Sequence, residues 1–178
     1  MTKKEIDAVL SLGSSHTIPG YLTGPTKFHL FWALRPFLKG KLYWYALLDV
    51  HSHTDNRFSF RAEIKEAFKA NQPDRNTLMS KEEQRFLEAL PDKITIYRGM
   101  TKKELREGDF GISWTLSKEI AEWFANTYGR NYDTNHLKKV VHKLVINKRD
   151  VVAFLNGRKE QEIIYLHKPT KPKKRLVR

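Results

Sequence analysis

Two carboxylates one residue apart, Glu160 and Glu162, lie just ahead of the apolar run Ile163-Ile164-Tyr165. A carboxylate held beneath a sugar ring accepts a hydrogen bond from a hydroxyl. It also stabilises the cation that develops as a glycosidic bond breaks, and that stabilisation grows toward the transition state. On an extended segment the first carboxylate shares a face with the second, where it can orient or deprotonate a nucleophile. Upstream, Arg98 closes the alternating run that begins at Ile94 and Ile96, and Gly99 follows it. A guanidinium is a permanent, planar cation that grips phosphate through two donors. Glycine lets a ligand approach the backbone closely. Ser113 and Thr115 flank Trp114, so a strand there puts two hydroxyls on one face, and a hydroxyl beside Glu162 can fix its rotamer. Each pattern alone is common in strands that do no chemistry. Their order along the chain carries the reading.

That order is Ile-Tyr-Arg-Gly at 96–99, then Gly-Ile-Ser-Trp-Thr at 111–115 with Ala121, Phe124 and Ala125 trailing, then Arg-Lys-Glu-Gln-Glu-Ile-Ile-Tyr at 158–165. It resembles the Arg–Ser–Glu class of mono-ADP-ribosyltransferases, and within it the Glu-x-Glu subclass. The resemblance covers about residues 93–167. Trp114 departs from the pattern, because small hydroxyl residues are commoner there, but the outer hydroxyls remain.

The resemblance implies an α+β fold of two packed, mainly antiparallel sheets forming an NAD cleft, with an N-terminal helical lobe. It implies NAD as substrate, no metal, and transfer of ADP-ribose with release of nicotinamide. Glu162, Glu160, Arg98 and Ser113 would be catalytic. Arg98, Gly99, Ser113, Thr115, Tyr128 and Tyr132 would contact NAD, with Tyr128 to Asn135 as the loop over the nicotinamide. Phe154 to Lys159 would meet the acceptor. A Glu at position 160 is similar to that of arginine-modifying members, so the acceptor would be protein arginine or, given the charge of the chain, an RNA or other nucleic-acid base. Such a compact transferase would suit a toxin, an antiphage defence effector or a phage-encoded modifier, and a toxin would have a neutralising antitoxin. Hydrolysis of NAD would be its side reaction.

The 178 residues suffice for one compact domain with a real core and an extra lobe. Hydrophobic residues make up 40%, with ten Phe, seven Tyr and four Trp, which excludes a disordered chain. The absence of Cys excludes disulfides and thiolate metal sites and fits a cytoplasmic protein. The most apolar window, Phe28 to Val50, is broken by Arg35, Lys39 and Lys41, so no span of about 20 apolar residues and no membrane partner are expected. Met1-Thr-Lys-Lys-Glu is polar and unlike a secretory signal. The formal charge is +13, and residues 168–178 hold six Lys or Arg and no acid. Without that tail the body is still about +7, so the expected partners are nucleic acid or ribosome-associated protein.

The pattern divides the chain into a mainly helical lobe at 1–90, a core of strands with inserted helices at 91–167, and a basic tail at 168–178. Ile6, Val9 and Leu10 mark a short amphipathic helix, and Ser14 to Thr26 reads as loop. Phe28 to Leu38 reads as a buried helix that Pro36 kinks or ends. Tyr43 to Val50 fits strand or helix, and Phe60 to Ala70 fits helix. Ser80 with Glu83, and Thr101 with Glu104, are capping boxes. Strands are expected from Ile94, over Gly111 to Thr115, over Val140 to Ile146, over Val151 to Leu155 and over Ile163 to Leu166. Ser117 caps a helix that Gly129 ends, and Asn156-Gly157 turns between the last two strands.

Two rivals compete with the transferase. His51-Ser52-His53 on a strand face would open the metal site of a hydrolase, with no convincing spacing for further ligands among His136, His142 and His167. A non-catalytic nucleic-acid-binding protein would use the basic tail together with Phe28, Trp32, Tyr43, Trp44 and Tyr45 for stacking.

Overall fold

The computed structural model describes residues 24–53, 60–128 and 137–167. The helix expected around Ile6 to Leu10, Tyr132, Gly129, His136 and the basic tail lie outside these residues. The chain divides into two compact units, Met1–Ala89 and Leu90–Arg178.

The N-terminal unit is helical. Helix α1 spans Gly24–Leu34, beginning four residues earlier than the apolar pattern suggests. Pro36 then tightens the chain into a 3-10 turn, Arg35–Phe37. Helix α2 is Gly40–His53, which resolves the strand-or-helix ambiguity at Tyr43 to Val50 in favour of helix. Aromatic and β-branched residues yield to burial: Tyr43, Trp44, Leu47 and Val50 recur at helical spacing and are all buried. Helix α3 is Arg61–Phe68, and its Ile64, Ala67 and Phe68 join that core. The buried polar tips are matched, with Tyr43 donating to the Ala67 carbonyl and the Trp44 indole donating to the Pro73 carbonyl. Helix α4, Lys81–Ala89, opens with the reciprocal capping box. Ser80 Oγ accepts from Glu83 N at 3.2 Å, and the Glu83 carboxylate accepts from Ser80 N at 2.8 Å.

The C-terminal unit is built on strands β1, Lys93–Thr101, β2, Ser113–Thr115, β3, Lys139–Asn147, β4, Val151–Leu155, and β5, Glu162–Tyr165. Helix α5, Lys102–Glu107, follows β1, and helix α6, Lys118–Asn126, follows β2. Among the described residues the strands form one antiparallel sheet in the order β3-β1-β2-β5-β4. Two packed sheets were expected. Here β2 pairs with β1 on one side and with β5 on the other, so the two groups of strands share one layer.

The joint is narrow. β1 and β3 pair along nine residues, from Lys93 opposite Asn147 to Thr101 opposite Lys139, and β2 pairs with β5 along its whole length. β1 and β2 meet through a single pair, Tyr97 opposite Thr115.

Strand alternation separates the faces. Ile94, Ile96, Met100, Trp114, Ile146, Phe154 and Ile163 are buried on one face. The other face carries Tyr97, Gly99, Ser113, Thr115 and Glu162, and α6 packs against it. Ser117 caps α6 by accepting from Ile120 N. Ala121 and Ala125 press onto β1, where a Cβ on Gly99 would come within 2.5 Å of the Ala121 carbonyl oxygen and 2.7 Å of Ala125 N.

Candidate functional site

Register places Tyr97, Thr115 and Glu162 side by side on neighbouring strands β1, β2 and β5. Directly opposed residues share a face and strands lie about 4.8 Å apart, so the row spans about 10 Å from Tyr97 to Glu162. Glu162 is the first residue of β5 and is buried, with 6% of its surface exposed. A carboxylate that far from water needs charged or hydrogen-bonding partners. Arg158 supplies one, its Nη2 lying 3.4 Å from Glu162 Oε2 and 2.9 Å from Glu160 Oε2.

The two carboxylates therefore converge on one guanidinium, by a route other than the extended segment expected from their spacing. The strand starts only at Glu162, and Lys159 and Gln161 adopt left-handed backbone with φ of 58° and 47°. Such angles cost about 1 kcal/mol or more in a residue with a Cβ and persist where surrounding bonds enforce them. Three bonds do so here. The Asn156 side-chain oxygen accepts from Gln161 N at 3.1 Å, the Asn156 carbonyl accepts from Lys159 N at 2.8 Å, and the Gln161 carbonyl accepts from Leu116 N at 3.2 Å. The expected two-residue turn is thus a longer loop, 156–161. Phe154, expected to begin the acceptor loop, is instead buried in β4.

Thr115 has a positioning task. Its hydroxyl donates to the Glu160 carbonyl at 2.7 Å and accepts from Ser117 N at 3.0 Å. The expected donation to Glu162 is replaced by this bond to the backbone of the carboxylate loop, which ties the loop to the start of α6. Ser113 lies opposite Ile164, and its carbonyl accepts from Arg98.

Arg98 lies on the strand face opposite that of Glu162. Its Nη1 donates to the Ser113 carbonyl at 2.7 Å and its Nε donates to Glu104 Oε1 at 2.9 Å. Glu104 is 7% exposed, and the same oxygen accepts from Gly111 N at 2.9 Å. Half of the second capping box forms, with Thr101 Oγ1 accepting from Glu104 N. The Glu104 carboxylate goes to Arg98 rather than back to Thr101. Arg98 thus bridges β1, α5 and β2 beside the single β1–β2 pair. Gly99 faces α6, and the space left by its missing side chain is filled by the backbone of that helix. The Tyr128 ring packs 5.2 Å from Trp123 and 5.1 Å from Phe124 at the end of α6. Tyr132 lies outside the described residues.

Cations on the Glu162 face include Arg158, Lys139 and Lys143 on β3, the latter opposite Tyr97, and Lys118 at the start of α6. Lys118 forms an ion pair with Glu122 at 3.0 Å, and that bond raises the pKa of its ammonium. Arg158 is included in the motif at 158–165 without an assigned role. Its spacing of two and four residues from the acids was the available signal. The role of Glu104 left no such signal, because its partner lies across a helix start.

His51 and His53 lie on α2, where residues two apart point about 200° apart. His51 is buried, edge-on to Phe68, and the half-exposed His53 contacts Asp49, which also pairs with the buried Lys27 at 3.2 Å. The two imidazoles do not share a face as the metal-hydrolase reading requires. Among the described residues no group of three or more His, Cys, Asp or Glu is placed to hold a metal ion, and no helix is long and apolar enough to cross a membrane. No protein-family model, no curated protein and no solved structure matches this chain.

Proposed function

We propose that this protein is a mono-ADP-ribosyltransferase that takes ADP-ribose from NAD, releases nicotinamide and delivers the sugar to a macromolecular acceptor. The observation that carries the reading is the buried carboxylate of Glu162, aligned with Thr115 and Tyr97 and joined to Glu160 through Arg158. Buried negative charge of this kind stabilises a ribosyl cation more strongly than a solvated one does.

In this reading the NAD site lies on the α6 face. Glu162 accepts from the ribose hydroxyl and opposes the developing positive charge. Glu160, at 26% side-chain exposure the more open of the two, takes the proton of the acceptor nucleophile. Arg158 holds both carboxylates, and Lys118 and Lys143 attract phosphate. Thr115 fixes the loop, and Arg98 sets the junction between β1 and β2. The acceptor is protein arginine or a nucleic-acid base, and the setting is a toxin, a defence effector or a phage-encoded modifier.

The test is nicotinamide release from NAD by the wild type, Glu162→Gln and Glu160→Gln. Glu162→Gln, which keeps shape and loses charge, is expected to lower release roughly 100- to 1000-fold, the scale for removing one preorganised electrostatic group. Glu160→Gln is expected to reduce transfer to the acceptor while release to water persists. No release by the wild type, or equal release by Glu162→Gln, would overturn the proposal.

A further inference from the structure

We propose that the exposed edge of β3, together with α6, is a binding surface for single-stranded nucleic acid, and that this strand is the acceptor. Its role as acceptor rests on the transferase reading, whereas the binding stands independently of it. Strand β3 is an edge strand of the sheet. From Leu137 to Arg149 the chain carries Lys138, Lys139, Lys143, Lys148 and Arg149 and no carboxylate. Lys138, Lys143 and Arg149 are exposed. Alternation puts Lys139 and Lys143 on the α6 face, four residues or about 13 Å apart along the strand. Val145, on the same face, is 61% exposed.

A line of cations suits a polymer of phosphates better than a single pyrophosphate, and the +13 charge of the chain draws a polyanion to it. The second observation is aromatic. Trp123 on α6 is 46% exposed, with Phe124 and Tyr128 rings 5.0 and 5.2 Å from it. It points away from Ala121 and Ala125, which face the sheet, so the exposed part of its ring is turned to solvent. Exposed cations on a strand, with an exposed aromatic side chain on the helix packed against that strand, are the elements by which proteins hold single strands. An acidic peptide would satisfy the lysines and leave the aromatic side chain unused. A duplex would keep its bases stacked away from a carboxylate.

The position of the track fits the site. Lys143 is directly opposite Tyr97, at the start of the row that runs through Thr115 to Glu162. A strand held at Lys143 is three strand spacings, about 14 Å, from Glu162, and an unstacked base can swing across that gap.

The experiment measures binding of a fluorescently labelled, single-stranded oligonucleotide of about 16 nucleotides, as RNA and as DNA, to the full chain between about 50 and 200 mM salt. Wild type is compared with Lys138→Glu/Lys143→Glu/Arg149→Glu and, separately, with Lys171→Glu/Lys173→Glu/Lys174→Glu in the basic tail. Thermal melting reports that each variant folds. The β3 variant is expected to bind at least tenfold more weakly, with the slope of log K against log salt reduced by about 2, or about 0.7 for each lost phosphate contact. Trp123→Ala is expected to weaken binding at every salt concentration without changing that slope. Unchanged affinity and slope in the β3 variant, or loss confined to the tail variant, would overturn the proposal. So would label transferred to protein arginine at equal rates by wild type and the β3 variant. Nicotinamide release assayed in parallel keeps the two readings apart: binding lost in the β3 variant, with no NAD turnover by any protein, would uphold the surface and sink the transferase.

Discussion

Gly99→Ala is the sharpest test of how the sheet and α6 are fitted together. The glycine backbone is outside the left-handed region, since Gly40 and Gly108 are the glycines with positive φ among the described residues, so alanine meets no dihedral penalty. The cost is contact alone. A Cβ would come within 2.5 Å of the Ala121 oxygen, 2.7 Å of Ala125 N and 3.1 Å of Ala125 Cβ, against about 3.5 Å for a relaxed contact. Two of the three obstacles are helix backbone, which cannot rotate aside, so α6 must lift by about 1 Å. Overpacking costs about 1–3 kcal/mol, and a backbone obstacle points to the top of that range. The lower entropy of the unfolded alanine chain offsets roughly 0.4–1 kcal/mol. The net loss is about 2 kcal/mol, which lowers the melting temperature by about 4–8 °C for a chain of this length. Calorimetry or circular-dichroism melting reads it, with NAD turnover measured alongside. A melting temperature within about 1 °C of wild type would refute the packing argument. If NAD turnover also fell, the glycine would be serving a ligand instead of the helix.

Two further outcomes follow from buried polar groups. Arg98→Ala strips the buried Glu104 of its charge partner and is expected to cost about 3–5 kcal/mol, while Arg98→Met/Glu104→Met recovers more than half of that in urea unfolding; a loss below about 1 kcal/mol in the single variant would contradict the bridge. Burial raises the phenol pKa of Tyr43, and burial with the nearby Asp150 raises that of Tyr165. A raised folded-state pKa means that the stability is present below the unfolded value of 10.0 and is lost as pH rises through the folded value. Unfolding free energy should therefore fall above about pH 10, and Tyr43→Phe should flatten the fall; an identical alkaline slope in that variant would count against it.

Local signals read well where a single element decides the outcome. The capping box at Ser80, the Ser117 cap, Pro36 at the end of α1, and the alternation of β1 and β3 all depend on neighbours within four residues. The candidate carboxylates and the Ser113-Trp114-Thr115 strand were legible for the same reason. Contacts between elements were not. Whether β1 and β5 share one sheet depends on which edges of β2 are used, and three residues of pattern cannot specify that. The face on which Arg98 lies relative to Glu162 follows from registers across two pairings. The length of the loop before Glu162 follows from left-handed residues that are neither Gly nor Asn. Tyr43 to Val50 was ambiguous because aromatic residues suit a strand by propensity and a buried helix by periodicity, and the core of the N-terminal unit decided between them.

The single β1–β2 pair has a consequence for how this protein can change over generations. Where strands are laced by many main-chain bonds, their spacing is a property of the peptide unit, and substitution can hardly alter it. Here part of the fastening falls to one side chain, Arg98, reaching the Ser113 carbonyl and Glu104. Side chains are what mutation exchanges. The separation between the tyrosine end of the row and its carboxylate end is therefore open to heritable adjustment by replacing one or two residues far from the carboxylates. A lineage could refit this surface to ligands of different breadth while leaving its acids untouched.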